Sequence, residues 1–185
     1  AALIGMKLDV RGEENLWVRR PAIFLFNHQS KADFIITAKL LRRNFAGVAQ
    51  KTPNSAGIFN QVMEFGGVVF IDREDPRSAI RAVQSLAEPI REQGISVCIA
   101  PEGTRSLSAK LGAFKRGAFQ LAMDAQVPVV PIVIHNSMDV SPKGSFVYRA
   151  ATVDIDVLPP IDTSTWTKAT LREHMNDVRH LYLEA

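Results

Sequence analysis

Short β-branched runs, set apart by segments of helical period, constrain this chain more than any other feature. Ala22-Ile23-Phe24-Leu25-Phe26 reads as a short buried strand, and Val68-Val69-Phe70-Ile71, Ser96-Val97-Cys98-Ile99-Ala100 and residues 129–134 read as three more strands. Between them, apolar residues recur at helical spacing. Phe34, Ile35, Ala38 and Leu41 do so over residues 32–43, and Ala79, Ile80, Val83, Leu86, Ala87 and Ile90 do so after Asp75-Pro76. Asp then Pro is a strong helix start, because the carboxylate caps bare amides and proline has no N–H to leave unpaired. Pro89 is expected to interrupt that helix near its end, and Gly94 to terminate it. Residues 152–157 alternate apolar and polar, the pattern of a strand with one wet face. A final helix is expected over 168–183, with Val178, Leu181 and Leu183 packing it. Strands alternating with helices predict an α/β fold, a central mostly parallel or mixed sheet covered by helices, in one domain spanning 1–185.

A chain of 185 residues is the right size for one such domain. Its lone cysteine, Cys98, leaves no internal disulfide and no Cys-based zinc cluster, and fits a reducing compartment. The longest apolar runs fall well short of the roughly 20 residues that a membrane-spanning helix needs, and no secretory leader is legible. The sequence opens inside an apolar stretch without an initiator Met, which predicts a trimmed form or a piece of a longer protein. Charge is unevenly placed: residues 1–60 hold nine Lys and Arg against four Asp and Glu. That excess predicts a basic surface for phosphate or an acidic lipid headgroup, or merely a solvated face. No basic run interleaved with aromatics is present, so nucleic acid is not an expected partner.

Chemistry-bearing residues cluster after the apolar runs. Asn27-His28-Gln29-Ser30-Lys31-Ala32-Asp33 follows the first strand, where α/β proteins place their sites. A His with an Asp five positions on can pair as a base and the carboxylate that fixes its tautomer. A satisfied structural histidine is the alternative. Ser30 and Asp33 also have the spacing of a capping box, with Ser30 as cap and Asp33 reaching back to its amide. No glycine-flanked serine elbow exists, which makes Ser30 a poor nucleophile. Pro101-Glu102-Gly103-Thr104-Arg105-Ser106 follows the third strand: Gly103 would let backbone approach a ligand, and Arg105 offers a bidentate anion fork. Phe114-Lys115-Arg116-Gly117 adds two cations, and Arg73, after Asp72, another. If the strands run parallel, His28, Arg73, Glu102 and Arg105 share one rim and suit a phosphate-bearing substrate beside a general base.

Together these segments resemble the four motif blocks of the glycerolipid acyltransferases of the 1-acylglycerol-3-phosphate acyltransferase type. Asn27, His28, Ser30 and Asp33 match the first block, His-x4-Asp. Gly67-Val68-Val69-Phe70-Ile71-Asp72-Arg73 resembles the second, and Pro101-Glu102-Gly103-Thr104-Arg105-Ser106 with Phe114-Lys115-Arg116-Gly117 the third. Val127-Pro128-Val129-Val130-Pro131-Ile132 resembles the fourth. Asp9-Val10-Arg11-Gly12-Glu13-Glu14-Asn15-Leu16 is similar to the strand and turn before the first block, and order and intervals agree across most of residues 8–135. Two departures stand out. Ala100 replaces a commonly bulky residue, and this sequence does not include the hydrophobic N-terminal segment that many members carry, which is expected to lie outside it if present.

The resemblance implies transfer of a fatty acyl group from an acyl thioester, acyl-CoA or acyl carrier protein as co-substrate, to a glycerolipid hydroxyl. Lysophosphatidic acid giving phosphatidic acid is the first expectation. Glycerol 3-phosphate, another lysophospholipid or a glycolipid are the rival acceptors, and a thioesterase or a silent lipid-binding module are rivals of other classes. His28 and Asp33 would be catalytic. Arg73, Glu102, Gly103, Thr104, Arg105 and Lys115 would bind substrate, with Glu102 orienting acceptor hydroxyls or bracing the arginines and amides near Gly103 stabilising the oxyanion. Neither metal nor cofactor is expected, since His28, His135, His174 and His180 are scattered. A membrane surface is an expected partner, with the protein peripheral at its cytoplasmic face.

Overall fold

A computed structural model describes residues 5–50, 67–72, 75–105, 110–141 and 148–185. Its strands are β1 (Lys7–Arg11), β2 (Ile23–Phe26), β3 (Phe45–Gln50), β4 (Val68–Ile71), β5 (Ser96–Ile99), β6 (Val129–Ile134) and β7 (Thr152–Val157). Its helices are α1 (Asn15–Val18), α2 (Ala32–Leu41), α3 (Pro76–Gln84), α4 (Ala87–Gln93), α5 (Arg116–Ala125), α6 (Ser137–Val140) and α7 (Leu171–Glu184). All seven described strands join one sheet in the order β1-β7-β6-β2-β5-β3-β4. β6, β2, β5, β3 and β4 are mutually parallel. β7 runs antiparallel to β6, and β1 pairs parallel with β7. The sheet is thus mixed, with five carboxyl ends aligned along one edge.

β2 occupies the centre because every residue in it is apolar and buried on both faces. Its side chains alternate between two cores. Ile23 and Leu25 pack with Val83, Ile90, Phe119, Leu121, Val178 and Tyr182 under α3, α4, α5 and α7. Phe24 and Phe26 pack with Leu16, Ile36, Leu40 and Val140 under α1, α2 and α6. The result is three layers, helices on each side of the sheet. Burying a large aliphatic side chain in such a core contributes about 1.5–3 kcal/mol.

Several expectations need correction. The segment after Asp75 is two helices. Asp75 Oδ1 does accept from the amides of Arg77 and Ser78, at 3.0 and 3.1 Å, and Gly94 closes the second helix in the left-handed region at φ +66°. The break, however, falls at Ser85–Leu86, a turn earlier than Pro89 itself. Pro89 has no N–H for the carbonyl of Ser85, and its ring crowds that carbonyl. The last helix begins at Leu171, after Thr167 and Thr170 cap one another through reciprocal amide-to-hydroxyl bonds of 3.2 Å. Its buried face is Leu171, Val178 and Tyr182, while Leu181 and Leu183 are exposed. Val178 and Tyr182 lie four residues apart and therefore share a face. β3 was not expected at all. Its Ala and Gly residues have low strand propensity, yet Gly47 is where the Phe34 ring comes close: a Cβ there would sit 3.2 Å from Phe34 Cε2.

On the wet edge, Asp156 of β7 takes a bidentate ion pair from Arg11 of β1, with Nη2–Oδ2 at 2.7 Å, and meets His135 Nε2 at 2.8 Å. The Arg11 bond above all holds the Asp156 carboxyl below its ordinary value. Its contribution is therefore present at neutral pH and lost as pH falls through that lowered value.

Cys98 lies on β5, 3% exposed, and burial pushes its thiol up to about 12. At pH 8 the thiolate is a minor species by about four decades. A disulfide reagent should therefore leave Cys98 unmodified in the folded protein and label it in denaturant. Rapid labelling of native protein in a colorimetric thiol assay would contradict the packing described.

Candidate active site

The turn after β2 is assembled by three side chains that the sequence brings within seven residues of one another. Asn27 is buried, and its amide group imitates a neighbouring strand: Nδ2 donates to the carbonyl of Ile134, and Oδ1 accepts from the Ile134 amide, both at 2.7 Å. This continues the β2–β6 pairing one residue beyond the strand and holds the turn in register. Ser30 accepts from the Ala32 amide at 3.1 Å and donates its hydroxyl hydrogen to the carbonyl of Ser141 at 2.6 Å. Asp33, fully buried at the start of α2, gathers three hydrogens on one oxygen. Oδ2 accepts from the amides of Gln29 and Ser30, at 2.7 and 2.8 Å, and from His28 Nδ1 at 2.8 Å.

That geometry fixes the tautomer. A carboxylate oxygen already accepting two amides can only accept from the ring as well, so the proton sits on His28 Nδ1 and the lone pair on Nε2. His28 is only partly buried and lines a cleft of about 1030 Å³. The cleft runs along the carboxyl edge of β3, β4 and β5, between α2 on one face of the sheet and α3 and α5 on the other. Phe34, Ile35, Ala38, Val48, Ile80 and Val83 supply apolar walls. Phe34, Ile35 and Ala38 of α2 therefore face the cleft, whereas Ile36, Leu40 and Leu41 fill the core. Ala100 also lines it, where a larger side chain would narrow the cleft.

The expected substrate-binding residues are distributed unequally. Gly103, Thr104, Arg105 and Lys115 line the same cleft as His28. Glu102 does not. It is 5% exposed, and its two oxygens accept from backbone amides, Oε1 from His28 at 2.9 Å and Oε2 from Gly112 at 2.7 Å. Among the described residues it braces no arginine. Gly103 has φ +69°, and its own amide donates to the carbonyl of Ala100 at 3.0 Å, so that N–H is closed within the turn and not offered to an oxyanion. Arg73 and Ser106 lie outside the described residues. Two further cations, Lys31 and Arg116, which stand within the motifs but were not among the expected substrate-binding residues, also line the cleft. Their signal was adjacency, one inside the His-x4-Asp turn and one beside Lys115. Among the described residues no group of three or more His, Cys, Asp or Glu is placed to hold a metal ion.

The basic excess of the N-terminal third is not gathered at this cleft. Arg19, Arg20, Arg42 and Arg43 flank the amino ends of β2 and β3, at the opposite end of the sheet. Arg20 is structural there, donating to the carbonyls of Leu16, Leu41 and Arg43 and lying 4.4 Å from the Trp17 ring centre.

A family model described as Acyltransferase matches residues 7–135, which include the whole turn, the cleft's polar end and β6. The chain belongs to the acyltransferase family. Human 1-acyl-sn-glycerol-3-phosphate acyltransferase alpha is 33% identical over 181 residues, 98% of this chain and 64% of that protein. The Saccharomyces cerevisiae 1-acyl-sn-glycerol-3-phosphate acyltransferase is 32% identical over 180 residues, 96% of this chain and 59% of its own length. The crystal structure of the 1-acyl-sn-glycerophosphate (LPA) acyltransferase PlsC from Thermotoga maritima superposes with a TM-score of 0.78 at 25% identity, covering 96% of this chain and 70% of that one. This acyltransferase chain thus spans about three-fifths of the length of the human and yeast relatives.

Gly103 offers a local test of the acyltransferase cleft. A Cβ there would lie 2.8–2.9 Å from Cδ, Cε and Nζ of Lys115, on a backbone already left-handed. Gly103→Ala should cost about 1–2 kcal/mol from the backbone alone, read by calorimetry as a melting temperature lowered by roughly 2–8 °C. An unchanged melting temperature would mean that the turn is not built as described.

Proposed function

We infer that this chain transfers an acyl group from a thioester donor to the hydroxyl of a phosphate-bearing glycerolipid, with lysophosphatidic acid the acceptor that its relatives' names favour. The observation that carries the reading is His28 at the head of an apolar cleft, its Nδ1–H held by Asp33 and its Nε2 left basic. Nε2 takes the proton of the acceptor hydroxyl as that oxygen attacks the thioester carbonyl carbon. Asp33 stabilises the imidazolium that forms. The tetrahedral intermediate collapses by breaking the C–S bond, and the proton passes from the imidazolium to the departing thiolate, leaving ester and free thiol. Arg105 and Lys115, which line the cleft with His28, would hold the acceptor phosphate, and Arg73, two residues beyond Ile71 in the sequence, would join them. The apolar walls suit the acyl chain, each buried methylene contributing about 0.8 kcal/mol.

Direct transfer is favoured over an acyl-enzyme. The Ser30 hydroxyl is fully buried and donates to Ser141, so it is spent on structure. We place the protein at a lipid surface, because acceptor and product are lipids. The surface that meets the lipid is the cleft mouth, where Ile80 is 53% exposed beside Arg77 and Arg81. No described helix is long and apolar enough to cross a membrane.

His28→Ala should lower kcat by about 10²–10⁴ while circular dichroism stays that of the parent. Thiol release near the parental rate would end the base assignment. Intact-mass spectra during turnover should show no acylated Ser30, and an acyl adduct there would replace direct transfer with a two-step route. Arg73→Ala and Arg105→Ala should raise the acceptor KM well beyond the donor KM. Equal increases for both substrates would remove the phosphate role.

A further inference from the structure

We propose that Glu102 and Gly112 form a clamp that positions His28, and that the clamp is anchored by Arg179 on α7. His28 is held at two points. Asp33 fixes the ring through Nδ1, and Glu102 Oε1 fixes the backbone through the His28 amide at 2.9 Å. The other oxygen of Glu102 takes the Gly112 amide at 2.7 Å. A buried carboxylate placed between two amides has its charge stabilised by their N–H dipoles and has little freedom to move, since each oxygen has a fixed partner.

Gly112 is glycine for a reason unrelated to its backbone, which is not left-handed. A Cβ at this position would lie 2.8 Å from Glu102 Oε2, 3.5 Å from its Cγ and 3.6 Å from its Cδ. Glycine therefore lets the carboxylate reach the 112 amide. The segment carrying Gly112 is itself pinned from the far end of the chain. Arg179 donates from Nε to the Gly112 carbonyl at 3.0 Å and from Nη2 to the Leu111 carbonyl at 3.1 Å. α7 in turn is fixed to the sheet centre, the Tyr182 hydroxyl donating to the Leu25 carbonyl of β2 at 2.7 Å. An unbroken chain of hydrogen bonds thus runs from Arg179 through Gly112 and Glu102 to the residue that carries the base. None of these three groups needs to touch substrate, and each acts through His28. α7 carries no motif of its own, and this assigns part of it a positioning role in the chemistry.

The clamp rests on the reading of His28 as the base, so its test has an arm that does not depend on activity. Gly112→Ala, Glu102→Gln and Arg179→Met are compared with the parent by kinetics, by calorimetry and by NMR of the His28 amide and Nδ1–H. In Glu102→Gln one amide meets an N–H₂ group in place of an acceptor. In Gly112→Ala the carboxylate is pushed without any change of charge. The expected result is a kcat at least tenfold lower in the first two variants, KM for both substrates within about twofold, and displaced His28 resonances in all three. The double variant Glu102→Gln/Gly112→Ala should lose no more kcat than the worse single one. His28 resonances unmoved in the folded Glu102→Gln protein, or losses that multiply in the double variant, would overturn the clamp. Should Gly112→Ala fail to fold, Glu102→Gln and Arg179→Met decide by the same readouts. Displaced resonances together with an active His28→Ala protein would keep the clamp and discard the acyl-transfer mechanism.

Discussion

Three N–H groups converge on one oxygen of Asp33, and the geometry of the whole cleft follows from that convergence. Two come from the turn backbone and one from the imidazole. The same oxygen therefore shapes the turn and chooses the tautomer of His28. Leaving any of the three donors unpaired in a buried site would cost about 1–3 kcal/mol, so local folding and chemical competence are bound together. Asp33 and Glu102 divide the labour, one holding the ring of His28 and the other its backbone.

The sheet makes that arrangement possible. Parallel strands place every carboxyl end on one edge. The turns after β2 and β5 therefore meet although they are some 70 residues apart in sequence, as the 2.9 Å bond between His28 and Glu102 records. Asn27 extends β2 toward β6, and Tyr182 ties α7 to the middle of β2. The turn that carries His28 is thereby held by rigid elements on both faces of the sheet. The cleft gains its second character from α2, which turns Ile36, Leu40 and Leu41 to the core and Phe34, Ile35 and Ala38 to the cavity.

Helical periodicity does not say which apolar face meets solvent-accessible space, and here it hid two features. Residues 34, 35 and 38 look like core positions in sequence, yet they wall a cavity. Ile80 fits the helical stripe after Asp75 and is more than half exposed beside that cavity. The basic N-terminal third misled in a similar way. Charge counted along the chain took no account of the sheet's polarity, and four of its arginines flank the end away from His28. Glu102 stood out in the sequence, but its bonds could not be read there, because its partners, the amides of His28 and Gly112, carry no side-chain signature.

What the sequence determined by itself is local: the apolar runs that became β2, β4, β5 and β6, the Asp75 cap, the Gly94 stop, and His28 with Asp33 at a spacing that one helical turn can close. Each depends on residues within about five positions of one another, where side-chain chemistry and backbone period suffice. The tertiary structure alone decided the strand order, the reversal of β7 and β1, the presence of β3, and the bonds from Arg179 and Gly112 to Glu102. Those rest on pairings between distant segments, mostly through backbone N–H and C=O groups that are the same in nearly every residue, so no pattern of side chains announces them.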